Sequence, residues 1–184
     1  MMQEIDLFAN QLLEEARRFF EKAAGTTDDS AKDANLHAAL TLSFCALEAH
    51  VNAMGEEFAI ASHLNLPVHG KGVLLEKDVK MEGGEFTLTP SLRMARLEDR
   101  VDFLHVSVAG KQMDRSATSW RGRLSSAVTL RNKLTHARQV PAISEADVQR
   151  AIEAIVGTLD ALFRALYNRG LPSASRGMRS KLTF

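Results

Sequence analysis

Apolar residues recur at three- and four-residue steps along most of the chain, the period of helices that bury one face. Ile5, Phe8, Leu12, Ala16, Phe19 and Ala23 mark such a face over residues 5–24, with Glu4, Asp6, Glu14, Glu15, Arg17 and Arg18 lying mostly elsewhere. Gly25-Thr26-Thr27 stops this helix, and Asp29 or Ser30 is placed to cap a second one over residues 30–63. Leu36, Leu40, Phe44, Leu47, Val51, Met54 and Phe58 form its stripe, beside a polar edge of His37, Thr41, Glu48 and Asn52. The uncharged run 34–47 predicts burial on several sides, so this helix belongs at the centre of the domain.

Residues 65–90 break the pattern at Pro67, Gly70 and Gly72, and 79–88 alternate around Gly83-Gly84 as a small hairpin would. Helices are then expected over 91–105, 117–136 and 144–168, the last opened by Ser144-Glu145-Ala146-Asp147 and closed by Gly170-Leu171-Pro172. The expectation is an all-α protein: an antiparallel bundle of about five helices with one irregular insertion carrying a small β-hairpin. Residues 1–170 form the domain and 171–184 a mobile basic tail, with Arg176, Arg179 and Lys181 and no acid.

Composition supports one globular domain: 184 residues, 45% apolar and 25% charged. The 23 basic and 23 acidic residues cancel, which excludes a polycation that coats nucleic acid by charge alone but leaves room for a local basic patch. Cys45 is the single cysteine, so no intrachain disulfide can form; its apolar setting predicts a buried core thiol in a reducing compartment. No signal-peptide pattern opens the chain, and the run 34–47 is too short for a bilayer, so a soluble cytoplasmic protein away from membranes is expected.

Phosphate loops ending in Gly-Lys-Ser/Thr and dinucleotide fingerprints are absent from the sequence. His63 and His69, six apart in a Pro/Gly segment, lack zinc spacing, so neither a metal nor a cofactor is expected. Residues 111–138 stand out, with Lys111, Arg115, Arg121, Arg123, Arg131, Lys133 and Arg138 against Asp114 alone. They form either a phosphate-binding surface or a solvated face balanced by acids of the first helix. Projected at 100° per residue, Trp120, Leu124, Ala127, Val128 and Leu134 share a side, and Arg131 falls among them. A guanidinium there needs an acidic partner, for which Glu48 is placed, or an opening toward an anion or a second protomer.

His136 follows where the helix should fray before Pro141, with Asn132 and Thr135 adding hydrogen-bonding groups. An imidazole can move protons near pH 7, and a neighbouring guanidinium can stabilise a developing phosphorane charge. A histidine here equally suits capping of a helix C-terminus. Arg100 and His105 repeat the same five-residue separation, but Leu97-Glu98-Asp99-Arg100 reads as an ordinary charged helical face.

Leu130-Arg131-Asn132-Lys133-Leu134-Thr135-His136-Ala137 resembles the Arg-x4–6-His motif of HEPN domains, in which a polar residue commonly follows the arginine. The run from Phe44 to Met54 resembles that family's long central helix, where an acid often lies opposite the motif. The resemblance spans about 36–166 and leaves the insertion at 65–90 without a counterpart. It implies a helical homodimer whose two motifs face one another across a cleft. Many such proteins are metal-independent endoribonucleases, often toxins or phage-defence components, some restrained by a nucleotidyltransferase-like antitoxin. Others are noncatalytic modules that bind a partner protein or a nucleotide.

Carried over, the resemblance gives Arg131 the scissile phosphate of RNA and His136 the proton of the attacking 2′-hydroxyl. Asn132 would orient one of them, Glu48 would fix Arg131, and Thr135 would support. Arg115, Arg121, Arg123, Lys133 and Arg138 would contact the RNA, and the product would end in a 2′,3′-cyclic phosphate.

Overall fold

The computed structural model describes residues 2–111 and 114–184, without the side chains of Met2, Gln3 and His63. Six α-helices and one two-stranded ribbon make up the described chain: α1 Met2–Gly25, α2 Asp29–Ile60, α3 Val68–Leu75, β1 Lys77–Glu82, β2 Glu85–Leu92, α4 Leu97–Phe103, α5 Trp120–Thr135 and α6 Glu145–Tyr167. The predominantly helical architecture with a small hairpin matches the sequence expectation.

α2 is central, touching α1, α3, α4, α5 and α6. Its buried residues centre on the stripe of Leu36, Leu40, Leu47, Val51 and Met54 and widen through Ala39, Ala46 and Ala53 on one side and Gly55 and Ala59 on the other to about two thirds of its circumference. Asp28 starts it by accepting the Ser30 and Ala31 N–H groups. The sequence reading placed that cap one or two residues later. Leu13 of α1, Leu124 of α5, and Ile152, Ile155 and Leu159 of α6 close the core with Leu40 and Leu47, all fully buried. Val128, expected there, is half-buried.

The insertion is more ordered than its Pro/Gly content suggested. Proline suits the entry to a helix, and Pro67 caps α3. Gly55 on α2 allows the close approach: a Cβ there would come within 2.7 Å of the Leu74 carbonyl oxygen. The ribbon is antiparallel, with Met81 opposite Phe86 and Glu82 opposite Glu85, and it turns at Gly83 and Gly84, both at positive φ. β2 runs through Pro90 to Leu92, so α4 starts at Leu97 and not near 91. A wide π-type turn, Leu104–Val108, extends α4.

Segment 171–184, expected as a mobile tail, lies along α1. Leu171 is buried. Arg176 holds Glu14 with both terminal nitrogens, and the Lys181 N–H donates to the same carboxylate at 2.7 Å. Burial opposes ionisation of Glu14, but these hydrogen bonds and the Arg17 charge win and keep its pKa low. Arg17, expected outside the apolar face, has no solvent exposure; it donates to Glu14 at 2.9 Å and to the Ser173 carbonyl at 3.0 Å. Helical periodicity alone missed it because one acceptor, the Ser173 carbonyl, comes only with the folded tail, which also fixes the other, Glu14, through Arg176.

No helix among the described residues is long and apolar enough to cross a membrane.

Candidate functional site

Arg131 sits where α5 crosses α2. It shares the α5 face that carries Leu124, Ala127 and Leu134, and 28% of its side chain is exposed. The guanidinium carbon lies over the Phe44 ring, 5.1 Å from its centre. Glu48 is 3.9 Å away, an ion pair without a hydrogen bond. Among the described residues the Arg131 side chain donates no hydrogen bond, and its Nε is buried without a partner. The predicted pairing with Glu48 is therefore present but loose: it neutralises charge and leaves the donors unspent.

The head of Arg131 lines a cleft of about 230 Å³. Glu48 and Asn52 of α2, Glu76 after α3, and Arg96 and Arg100 around the start of α4 supply its other charged and polar walls. Met94, Ala95 and Leu97, where the ribbon returns to the helices, add apolar surface. Arg100 corrects the sequence reading, for it is 4% exposed and not part of a solvated face. Its terminal nitrogens donate to the Leu74 carbonyl at 2.9 Å and meet Glu76 at 3.3 Å. Burial lowers the Arg100 pKa, and Glu76 and Glu48 pull it back up. Glu76 is in the left-handed region, φ 51°, and also accepts the Ala95 N–H at 3.2 Å, which ties the foot of the ribbon to the bundle. The missed signal was Arg100 inside the spacing Leu97, Val101, Leu104, the same intrusion on an apolar stripe that singled out Arg131.

His136 caps α5 and is exposed; its N–H donates to the Asn132 carbonyl at 3.0 Å, and it lines neither of the two clefts described here. Asn132 is exposed, and the Thr135 hydroxyl is turned back onto the Arg131 carbonyl at 3.1 Å. Arg131 and Glu48 are thus brought together, while His136 stands apart at the helix end.

The basic surface divides. Arg121 is buried, with Asp102 at 2.5 Å and Glu98 at 2.7 Å, an arrangement that raises its pKa. Arg115 is exposed but bound to Asp102 at 2.9 Å. Arg121 is therefore not a free RNA contact, and the balancing acids come from α4, not from the first helix. Arg123 and Lys133 are exposed and line a broader groove of about 610 Å³ between α5 and α6, and Arg138 is exposed beyond the helix end.

Cys45 is exposed and not a core thiol; partial desolvation and the Glu48 charge raise its pKa, against Arg131. His69 packs against Phe86 with ring centres 4.4 Å apart, and His63 lies outside the described side chains. The described residues contain no cluster of three or more metal-ligand side chains.

Comparison with protein-family models, with curated proteins and with solved structures returned no match.

Proposed function

We propose that the chain is a metal-independent endoribonuclease of HEPN type that acts as a homodimer. The observation that carries this reading is Arg131, a guanidinium held at a cleft by Phe44 and Glu48 with its donors unspent. In this reading Arg131 grips the scissile phosphate and stabilises the charge that grows on it. His136 takes the proton of the ribose 2′-hydroxyl; the 2′-oxygen bonds to phosphorus as the bond to the 5′-oxygen breaks, leaving a 2′,3′-cyclic phosphate. Asn132 orients the pair and Glu48 steadies Arg131.

Five residues turn a regular helix by about 140°, so one copy aims its Arg131 and His136 in different directions. A second copy across a two-fold axis supplies the missing half. Arg123, Lys133 and Arg138 hold the flanking RNA phosphates. The resemblance to HEPN proteins supports a cytoplasmic toxin or phage-defence role, with a nucleotidyltransferase-like antitoxin as regulator.

RNA digestion in EDTA tests the reading. The wild type should yield cyclic-phosphate ends, and His136→Ala should lose about two orders of magnitude or more in rate, the scale of general acid–base catalysis. Cleavage that survives the substitution, or that needs a divalent metal, refutes it.

The engagement of Arg115 and Arg121 by Asp102 and Glu98 favours a second reading, a noncatalytic helical module that binds a partner protein or a nucleotide. RNA binding or partner binding by the wild type without any turnover would select it.

A further inference from the structure

We propose that the cleft beside Arg131 is a binding site for a phosphate group, seated on Arg131 and closed from the rim by Arg96. Three guanidiniums and two carboxylates line it, so its net charge is positive. The carboxylates are not equally free. Glu76 is committed to Arg100 and to the Ala95 N–H, whereas Glu48 holds Arg131 only at 3.9 Å. Arg131 thus faces the cleft as a cation without hydrogen-bonded acceptors, and a tetrahedral oxyanion supplies acceptors in the charge-assisted geometry that guanidinium favours.

The Arg96 side chain is 79% exposed and among the described residues pairs with Glu98 alone, at 3.9 Å, so it can swing across the mouth at little cost. Asn52, one turn beyond Glu48 on α2, adds an amide donor to the wall. The cleft has the volume of roughly eight waters at about 30 Å³ each, room for a phosphate and the first atoms of whatever bears it. Half of the site comes from the end of the ribbon and the start of α4, which gives the insertion a function. The assignment rests on the same reading of Arg131 as a phosphate holder, but it needs neither His136 nor turnover.

Isothermal titration calorimetry of the full chain with inorganic phosphate, and in parallel with a short 2′-deoxyoligonucleotide bearing a 5′-phosphate, tests it. Saturable phosphate binding is expected. Arg131→Ala should weaken it about tenfold or more, the loss of a charge-assisted hydrogen bond, and Arg96→Ala about threefold, as for an exposed ion pair. Glu48→Gln should tighten binding by removing the rival anion, an effect opposite to that of a merely structural pair. Arg164→Ala, an exposed arginine at the far end of α6, should change nothing. An oligonucleotide bound about tenfold more tightly than phosphate assigns the site to nucleic-acid ends; equal affinities assign it to free phosphate. No saturable heat at about 10 mM phosphate, or equal losses in Arg96→Ala and Arg164→Ala, overturns the proposal. Phosphate binding without RNA cleavage would remove the nuclease reading and leave this site standing.

Discussion

Arg17, Arg100 and Arg121 are nearly out of water, and each keeps its charge through a different set of acceptors. His50 leaves water without any: it is 1% exposed, neither ring nitrogen has a hydrogen-bond partner, and burial lowers its pKa to about 4. Asp6 approaches only to 4.0 Å, and its own carboxyl is pushed up by burial and by Glu57. Between pH 4 and 6.5 the unfolded chain binds a proton on His50 that the folded chain refuses. Stability therefore falls as pH drops through that window, by up to about 3 kcal/mol, and levels off below it. His50→Leu should flatten this part of the stability–pH curve, measured as denaturation midpoints of variant and wild type at pH 7, 5.5 and 4. Identical curves would show that His50 does not control it. Nothing in the sequence announced this group, since a histidine on a long apolar helix reads the same whether or not its nitrogens find partners.

At the scale of elements, α4 and α5 are joined by charge. Arg121 holds Asp102 and Glu98 together, and Arg115 adds a second grip on Asp102. Removing one member of a buried pair strands the others, so Arg121→Ala should cost about 3–5 kcal/mol. Thermal denaturation should register a drop of about 2–4 °C for each kcal/mol; a shift no larger than that of an exposed arginine would mean that the pair is not structural. Long helices were legible because α1, α2 and α6 repeat their apolar period over many turns. α3 was not: eight residues offer too few repeats, and its glycines read as breakers although Gly70 and Gly72 serve close packing. The hairpin could be read from Gly83-Gly84, but its length could not, because Pro90 is tolerated on a strand with an open edge.

Taken whole, the molecule is a bundle around α2, with the last fourteen residues laid back over α1. Arg176→Ala tests that arrangement: Glu14 would keep Arg17 but lose its two-nitrogen grip. A loss of about 1–3 kcal/mol is expected, with faster proteolysis near Ser180; unchanged stability and cleavage would show that the tail is not anchored by this pair. The site was partly legible at this scale. Arg131 and Glu48 declared themselves as a cation on an apolar stripe and an acid on a polar edge. Arg96, Arg100 and Glu76 did not, because the cleft they share is assembled from four segments distant in sequence.

The chain writes an arginine five residues before a histidine twice, and the two copies differ in shape. The first passes into a widened coil and turns both side chains inward, Arg100 at 4% and His105 at 8% exposure, the imidazole leaning on Trp120. The second stays on an ordinary spiral, its arginine halfway out and its histidine in solvent. Identical spelling therefore does not fix spatial meaning: the local winding of the backbone, which a text pattern does not record, determines which copy is drawn into the core and which is left facing solvent.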